Sequence, residues 1–262
     1  YSLQFVGAPF IFRATLITDG VSLISPNAAI VANNVMYFMD RHNFYVYTGV
    51  AQVLPCTVRA FIFDNLNDVQ GQQVTAFANT GYNEVGWFYP STGSTVCDKM
   101  VVYNYVEQAW SISELARDSW DDAGASADLP IAVKTSADAG YLYEHETGFN
   151  DDGQPLSAFI ETADFDVADG DRFAFIRRLL PDISFVGTST NPTLTYSLKS
   201  RNNSDGTLTT QSSVDVSNTT DFAMANVRAR ARQMRVRIES TDEDNGWRLG
   251  DVRLDVRVDG RR

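Results

Sequence analysis

The stretch Glu84–Trp110, EVGWFYPSTGSTVCDKMVVYNYVEQAW, decides the fold. Val85–Tyr89 and Met100–Tyr105 are dense in β-branched and aromatic residues and Pro90–Gly93 is turn material, so the segment reads as a β-hairpin. It is one repeat unit. Met36–Met39 (MYFM) and Phe44–Tyr47 (FYVY), joined through Asp40–Asn43 and closed by Gly49, give a shorter version upstream, and Gly140–Glu146 (GYLYEHE) starts a third downstream. Spacing of about fifty residues predicts β-propeller blades, whose sheets pack radially and need their neighbours to bury both faces. Within the quoted unit, Trp87, Phe88, Tyr103, Tyr105 and Trp110 are expected to pack at the centre of one blade and against the next. Three units fall short of the roughly four to eight blades of closed propellers. The ring is therefore expected to be completed by missing residues or by another chain, with a stacked partial sheet as the alternative. Tyr1, in place of methionine and within sequence that already reads as β-structure, leads to the expectation that residues precede it.

The runs VMYFMDRHNFYVYTG (35–49), VLPCTVRAFIFDNLND (53–68), the blade ending VVYNYVEQAW, LYEHETGFNDDGQPLSAFIET (142–162) and WRLGDVRLDVRVDGRR (247–262) carry a resemblance. Taken in order they resemble the C-terminal part of the tail hub, or nozzle, proteins of short-tailed bacteriophages, a family also labelled packaged-DNA stabilisation proteins. The resemblance covers nearly the whole chain. It implies a homo-oligomer, a hexameric ring below the tail adaptor, in which propellers and sandwiches form a tube that retains packaged DNA and conducts it into the host. It also implies assembly in the host cytoplasm, a place in the virion, contacts with other tail proteins, and transient passage of duplex DNA. No catalytic, cofactor or metal residues carry over from it.

With 262 residues, 44% of them hydrophobic, the chain can bury one large β domain or two ordinary ones. No run of about eighteen apolar residues is present to span a bilayer, and no basic start with an apolar stretch suggests export. The two cysteines, Cys56 and Cys97, are far apart and are expected to stay thiols. Without neighbouring histidines they make no zinc site.

The net charge of −12 is uneven: residues 1–150 carry six Lys and Arg against fifteen Asp and Glu, net −9, and residues 151–262 carry fifteen against eighteen, net −3. A protein that grips DNA presents a basic face, so tight duplex binding through the first half is excluded. For a conduit an acidic wall repels the phosphate backbone and keeps friction low; solubility alone is the competing explanation. Asp64, Asp68, Asp118, Asp121 and Asp122 are the candidates for an acidic lumen.

His145–Gln154 (HETGFNDDGQ) strings turn residues together, which places a boundary near Asn150. Residues 1–150 are expected to be propeller-like blades and residues 151–262 an antiparallel β-sandwich, all-β throughout. Strands are predicted at Leu156–Ile160, Phe173–Phe185, Thr193–Ser200, Phe222–Ser240 and Trp247–Val258, with one short helix within Leu66–Ala78 as the exception. In the last strand Val252, Leu254, Val256 and Val258 alternate with Arg253, Asp255, Arg257 and Asp259, giving a core face and a charged face.

In VRARARQMRVRIE, Arg228, Arg230 and Arg232 share one parity and Arg235 and Arg237 the other. A β-bulge near Gln233 would return all five to one side. They form either a basic stripe for DNA or a charged face that meets protein, through acids such as Asp255 and Glu239 or across a subunit boundary; the slightly negative balance of the domain favours protein.

Asp164, Asp166, Asp169 and Asp171 could offer oxygen ligands to calcium, but their spacing matches no EF-hand, and an outward-facing strand end explains them as well. Asp118, Asp121 and Asp122 after Arg117 read as another solvated loop. With only His42 and His145, a nucleophile triad has few ways to assemble, and no G-x-S-x-G elbow, P-loop or H-E-x-x-H helix occurs. The rival from another class is a carbohydrate-binding or glycan-cleaving propeller at a tail tip. Glu144 and Glu146 would then be its acids, and exposed Tyr82, Trp87, Tyr89 and Trp120 would stack on sugars.

Overall fold

Strands take up 51% of the chain and helices 6%, so the fold is all-β, built from several antiparallel sheets of which none closes into a barrel. The structure, a computed structural model, describes residues 1–124, 127–135, 139–167, 169–218 and 224–260. Two compact units divide the chain, Tyr1–Thr147 and Gly148–Arg262.

In the first unit β1 (Ser2–Phe5) and β2 (Phe12–Thr15) pair as a hairpin. β3 (Ala29–Ala32), β4 (Val35–Met39), β5 (Phe44–Tyr47) and β6 (Ala51–Leu54) form a four-stranded meander. The single-turn α1 (Arg59–Phe63) leads to a second meander of β7 (Thr75–Asn79), β8 (Glu84–Tyr89), β9 (Lys99–Asn104) and β10 (Ala109–Ser113). A third has three strands, β11 (Ser119–Asp121), β12 (Ile131–Thr135) and β13 (Gly140–Glu144). The first strands β3, β7 and β11 begin 46 and 44 residues apart, and β7 lies against both of the others. The sheets therefore stack as blades that radiate from their first strands, as the repeat spacing predicts.

Alternation along β8 serves both faces of the second blade. Val85, Trp87 and Tyr89 enter a core with Tyr37, Met39, Phe44 and Leu54 of the first blade. Phe88 points the other way, onto Phe77, Cys97 and Val102, and meets Trp120 of the third blade. The five aromatics of the quoted segment are thus divided between two interfaces. Trp87 is completely buried and its indole N–H donates to the Ala28 carbonyl at 3.0 Å, fastening β8 beside β3. Trp110 is only partly buried: it lies on the rim against Phe44 and Tyr103, with its N–H on the Pro55 carbonyl. Gly86 is required between them, because a Cβ there would stand 2.4 Å from the Phe77 ring.

The helix expected within Leu66–Ala78 is instead a 3-10 turn at Asp68–Gln73 followed by β7. Val74 is fully buried and residues from Thr75 pair with β8, so strand pairing takes precedence over local preference in this segment.

The second unit opens with the small hairpin β14 (Asn150–Asp151) and β15 (Gln154–Pro155), then β16 (Ala158–Glu161) and β17 (Phe165–Asp166). There follow β18 (Ala174–Leu180), β19 (Ile183–Gly187), β20 (Thr193–Arg201), β21 (Thr209–Ser217), β22 (Ala225–Ala231), β23 (Gln233–Ser240), β24 (Asn245–Leu249) and β25 (Arg253–Val258). One sheet orders β16, β23, β20 and β21, with β17 also on β23; another orders β22, β18 and β25; β19 and β24 pair separately. Ile176 and Leu179, Leu194, Tyr196 and Leu198, Val227 and Ala229, and Met234, Val236 and Ile238 share one core, so these sheets pack as a sandwich.

Three of the long strands expected here are each two strands in different sheets. Residues 173–185 break at Pro181, which has no N–H for a ladder. Residues 247–258 break at Gly250–Asp251, and residues 222–240 break at Arg232. Residues 222 and 223, like 261 and 262, lie outside the described residues. β21 was not legible, because TTQSSVDVS carries only Val214 and Val216 as inward signals. Of the apolar residues expected to face the core at the C-terminal end, Leu254 of β25 packs on it, but Val256 and Val258 of β25 and Val252 just before it are exposed.

Candidate functional site

The parity change among the arginines is a change of sheet, not a bulge. In β22 the small residues Ala225, Val227, Ala229 and Ala231 face the core and Arg228 and Arg230 face out; in β23 Met234, Val236 and Ile238 face the core and Arg235 and Arg237 face out. Arg232 sits at the corner. Because the two sheets enclose the core between them, their outer faces point opposite ways, and the five arginines form no single stripe. The ladder irregularities lie elsewhere, at Ile176/Arg178 and Leu198/Lys199.

The outer face of the β16, β23, β20 sheet carries an interlocked set of charges. Register places Glu161 opposite Arg237 and Lys199 opposite Arg235. Glu161 accepts from Lys199 at 2.7 Å, Arg235 at 3.1 Å and Arg237 at 3.4 Å, and Arg237 also holds Glu239 at 2.8 Å. Asp164 joins Arg235 to Arg201. The Arg237 guanidinium lies 3.9 Å from the centre of the Phe159 ring. Glu161 and Asp164 are only 18% and 15% exposed, so these contacts are poorly screened by solvent. Burial alone would raise the Glu161 carboxyl, but hydrogen bonds from Lys199, Arg235 and Arg237 outweigh it and hold it below the usual carboxylate range. The Arg235 hydrogen bond, against the opposing effect of burial, holds Asp164 low as well.

On the other sheet Arg230 pairs with Asp259 at 2.5 Å, Arg232 donates to the Gly170 carbonyl, and both lie over the Phe173 ring. Asp255 pairs with Arg178 rather than with any of the five. The Arg228 side chain is exposed, with no ion pair among the described residues. Sequence reasoning missed Lys199 and Arg201 altogether; the alternation in TLTYSLKSR was the available signal.

No family model matches the chain, and no curated protein is significantly similar to it.

The structure separates the five candidate acids into two groups. Asp64 ends α1 and Asp68 begins the following 3-10 turn, where it pairs with Arg41 at 3.4 Å. Asp118, Asp121 and Asp122 flank or lie in β11. Far from being a solvated loop, this segment is anchored: Asp118 accepts from the Thr135 N–H at 2.6 Å, and Asp122 from the N–H and hydroxyl of Thr80 at 2.9 and 2.5 Å. Arg117 is itself buried, with its guanidinium 4.1 Å from the Tyr143 ring centre. Asp64 and Asp121 are exposed and their side chains hold no hydrogen bond among the described residues.

An aromatic platform for sugars does not form from the expected residues. Trp87 and Tyr89 are buried between blades and Trp120 packs on Phe77, Phe88 and His145, so only Tyr82 is exposed. Those side chains are the core that holds the blades together. Among the potential calcium ligands Asp164 is held by arginines, and no group of three or more His, Cys, Asp or Glu side chains is placed to hold a metal ion among the described residues. Cys56 and Cys97 are free thiols, and burial pushes them up to about 11 and about 12. Among the described residues no helix is long and apolar enough to cross a membrane.

Of the EHE triplet, Glu144 is exposed, His145 Nε2 accepts from Arg117 Nε at 3.1 Å, and Glu146 accepts from the buried Asn79 amide at 2.8 Å. Glu146 also bears on Glu84: burial first, then the Glu146 charge, raises the Glu84 carboxyl above its ordinary value. A carboxyl raised in the folded state contributes stability that is full below the unfolded pKa, about 4.3, and is lost as pH rises through the folded value. Glu84→Gln therefore raises the melting temperature at pH 7 and leaves it unchanged near pH 4. Equal melting of the two proteins at pH 7 would show that Glu84 pays no such penalty.

Proposed function

We propose that this chain is a structural, non-enzymatic component of a short-tailed phage tail, part of the hub or nozzle channel that retains packaged DNA and conducts it into the host. The observation that carries the reading is the order of architecture: aromatic blades first and an antiparallel sandwich second, in the sequence that the resemblance implies. The phrases that carry the resemblance also fall on elements that build that order, with 35–49 in β4 and β5, 84–110 in β8 to β10, and 247–262 reaching through β25.

The net charge of −9 in the first unit suits a wall that repels phosphate and lets a duplex slide. Repulsion over a Debye length of about 8 Å centres the duplex without blocking a wider channel. Asp64 and Asp121 are the exposed, unengaged members of the acidic set that serve this wall. Arg235 and Arg237 act within the chain as the bracing of the sandwich, and Arg228 is the arginine left for a neighbouring subunit in the proposed hexameric ring.

Antibody against this chain, applied to assembled particles in the electron microscope, is expected to label the tail at a ring with cyclic symmetry. Label confined to the capsid shell, or absent from purified particles, would sink the proposal.

A further inference from the structure

Among the described residues β25 pairs with β18 alone, at the end of the β22, β18, β25 sheet, so its other edge is open. The Asp259 N–H donates to the Phe173 carbonyl, just ahead of β18, at 2.7 Å. Main-chain groups alternate in direction along a strand, so Asp259, Arg257 and Asp255 turn theirs toward β18, and Leu254, Val256 and Val258 turn theirs to the open edge. Side chains are sorted by the same alternation. Val256 and Val258 lie opposite the buried Ile176 and Ala174 and share their apolar face, yet they are 38% and 50% exposed. Arg253, Asp255, Arg257 and Asp259 share the other face.

Along that second face the signs run plus, minus, plus, minus. An antiparallel partner is read backwards. A copy of β25 turned about a two-fold axis through Val256 therefore sets Arg257 opposite Asp255 and Arg253 opposite Asp259, on both sides of the axis. On the apolar face Val256 meets Val256, and Leu254 meets Val258. The outward main-chain groups then fall opposite one another and exchange hydrogen bonds, while the charged residues occupy the intervening pairs, whose Cα atoms approach to about 4.5 Å. Other axes fit worse. One through Asp255 or Arg257 sets like charges opposite each other, and one through Leu254 overlaps only residues 253–255 of the strand. Charge on an edge ordinarily guards it against other strands, but this order of signs is complementary to its own reversed copy.

We propose that two copies of this chain pair antiparallel through β25 and so join their β22, β18, β25 sheets into one. Arg257 contributes most, because it is exposed and has no ion pair among the described residues. The acids already hold cations of their own chain, Asp255 with Arg178 at 3.0 Å and Asp259 with Arg230 at 2.5 Å. A carboxylate accepts at two oxygens, so each can take an arginine of the second copy as well. Such an isologous contact pairs chains and does not by itself close a cyclic ring. It describes the free chain and does not rest on the tail reading: a dimer that never labels tails sinks only that reading, and labelled tails from a chain that never dimerises sink only this one.

Sedimentation of the full chain over a range of concentrations is expected to show a monomer–dimer equilibrium. Arg257→Asp sets Asp against Asp255 on both sides of the axis and is expected to weaken association at least about tenfold, with an unchanged circular dichroism spectrum. Arg257→Lys keeps the charge and is expected to dimerise like the wild type. Val256→Cys under mild oxidation is expected to give a covalent dimer from a single variant, because the axis sets this residue against its own copy at a Cα separation of about 5.5 Å, which a disulfide spans. The wild type, with Cys56 half-buried and Cys97 buried, is expected to give none under the same conditions. A chain that stays monomeric throughout, an Arg257→Asp variant that associates like the wild type, or a Val256→Cys chain that forms no covalent dimer would each overturn the proposal.

Discussion

Trp87→Ala lowers the stability of the N-terminal unit by about 3–5 kcal/mol, the range for removing a fully enclosed large aromatic from a core. Trp87 touches the rings of Phe44 and Trp110, at 4.8 and 6.3 Å between centroids, and fills the space between the first two blades. Its loss leaves a cavity that the flanking strands cannot collapse into, and it leaves the Ala28 carbonyl without its indole donor. Trp110→Ala, at the rim, is expected to cost less than Trp87→Ala, because solvent already reaches that ring and refills the gap. Chemical denaturation of both variants measures the difference. Equal costs, or a larger cost for Trp110, would mean that the blades are held together elsewhere.

Glu161→Ala destabilises the C-terminal unit by roughly 2–4 kcal/mol, between the value of an exposed pair and that of a fully buried one. Lys199, Arg235 and Arg237 all converge on this carboxylate, and its removal leaves three cations facing one another with Asp164 and Glu239 as the remaining anions of the set. The pH dependence has a defined sign. Glu161 and Asp164 are held low in the folded state, so their contribution is present above the unfolded carboxylate pKa, about 4, and is lost as pH falls through the folded values. The wild-type sandwich accordingly weakens on acidification, and Glu161→Ala flattens that slope. Thermal unfolding at pH 7 and at pH 3 reads both effects. A variant that melts like the wild type at pH 7 would show the charge set to be surface decoration.

The blades were legible because their cause is local. Alternation of Val85, Trp87 and Tyr89 with Gly86 and Phe88 requires a strand that is buried on both faces, and recurrence of the pattern requires neighbours to bury them. The division of the arginines was not legible, because VRARARQMRVRIE shows only that parity changes near Gln233. A bulge and a corner between two sheets produce the same string, and only the partners decide: β22 pairs with β18, whereas β23 pairs with β20 and β16.

By itself, then, the sequence determined the all-β class, the blade repeat, the acidic first half and the turn-rich stretch near Asn150, all properties of periodicity and composition. The tertiary structure alone decided which aromatics are core and which are rim, since both kinds look alike in a strand. It also decided which carboxylates are anchors, because Asp122 finds Thr80 and Glu161 finds Lys199 only once residues some forty apart are folded into contact. The physical reason is the same in each case: side-chain direction follows from local backbone geometry, whereas burial and charge pairing depend on which strand is placed alongside.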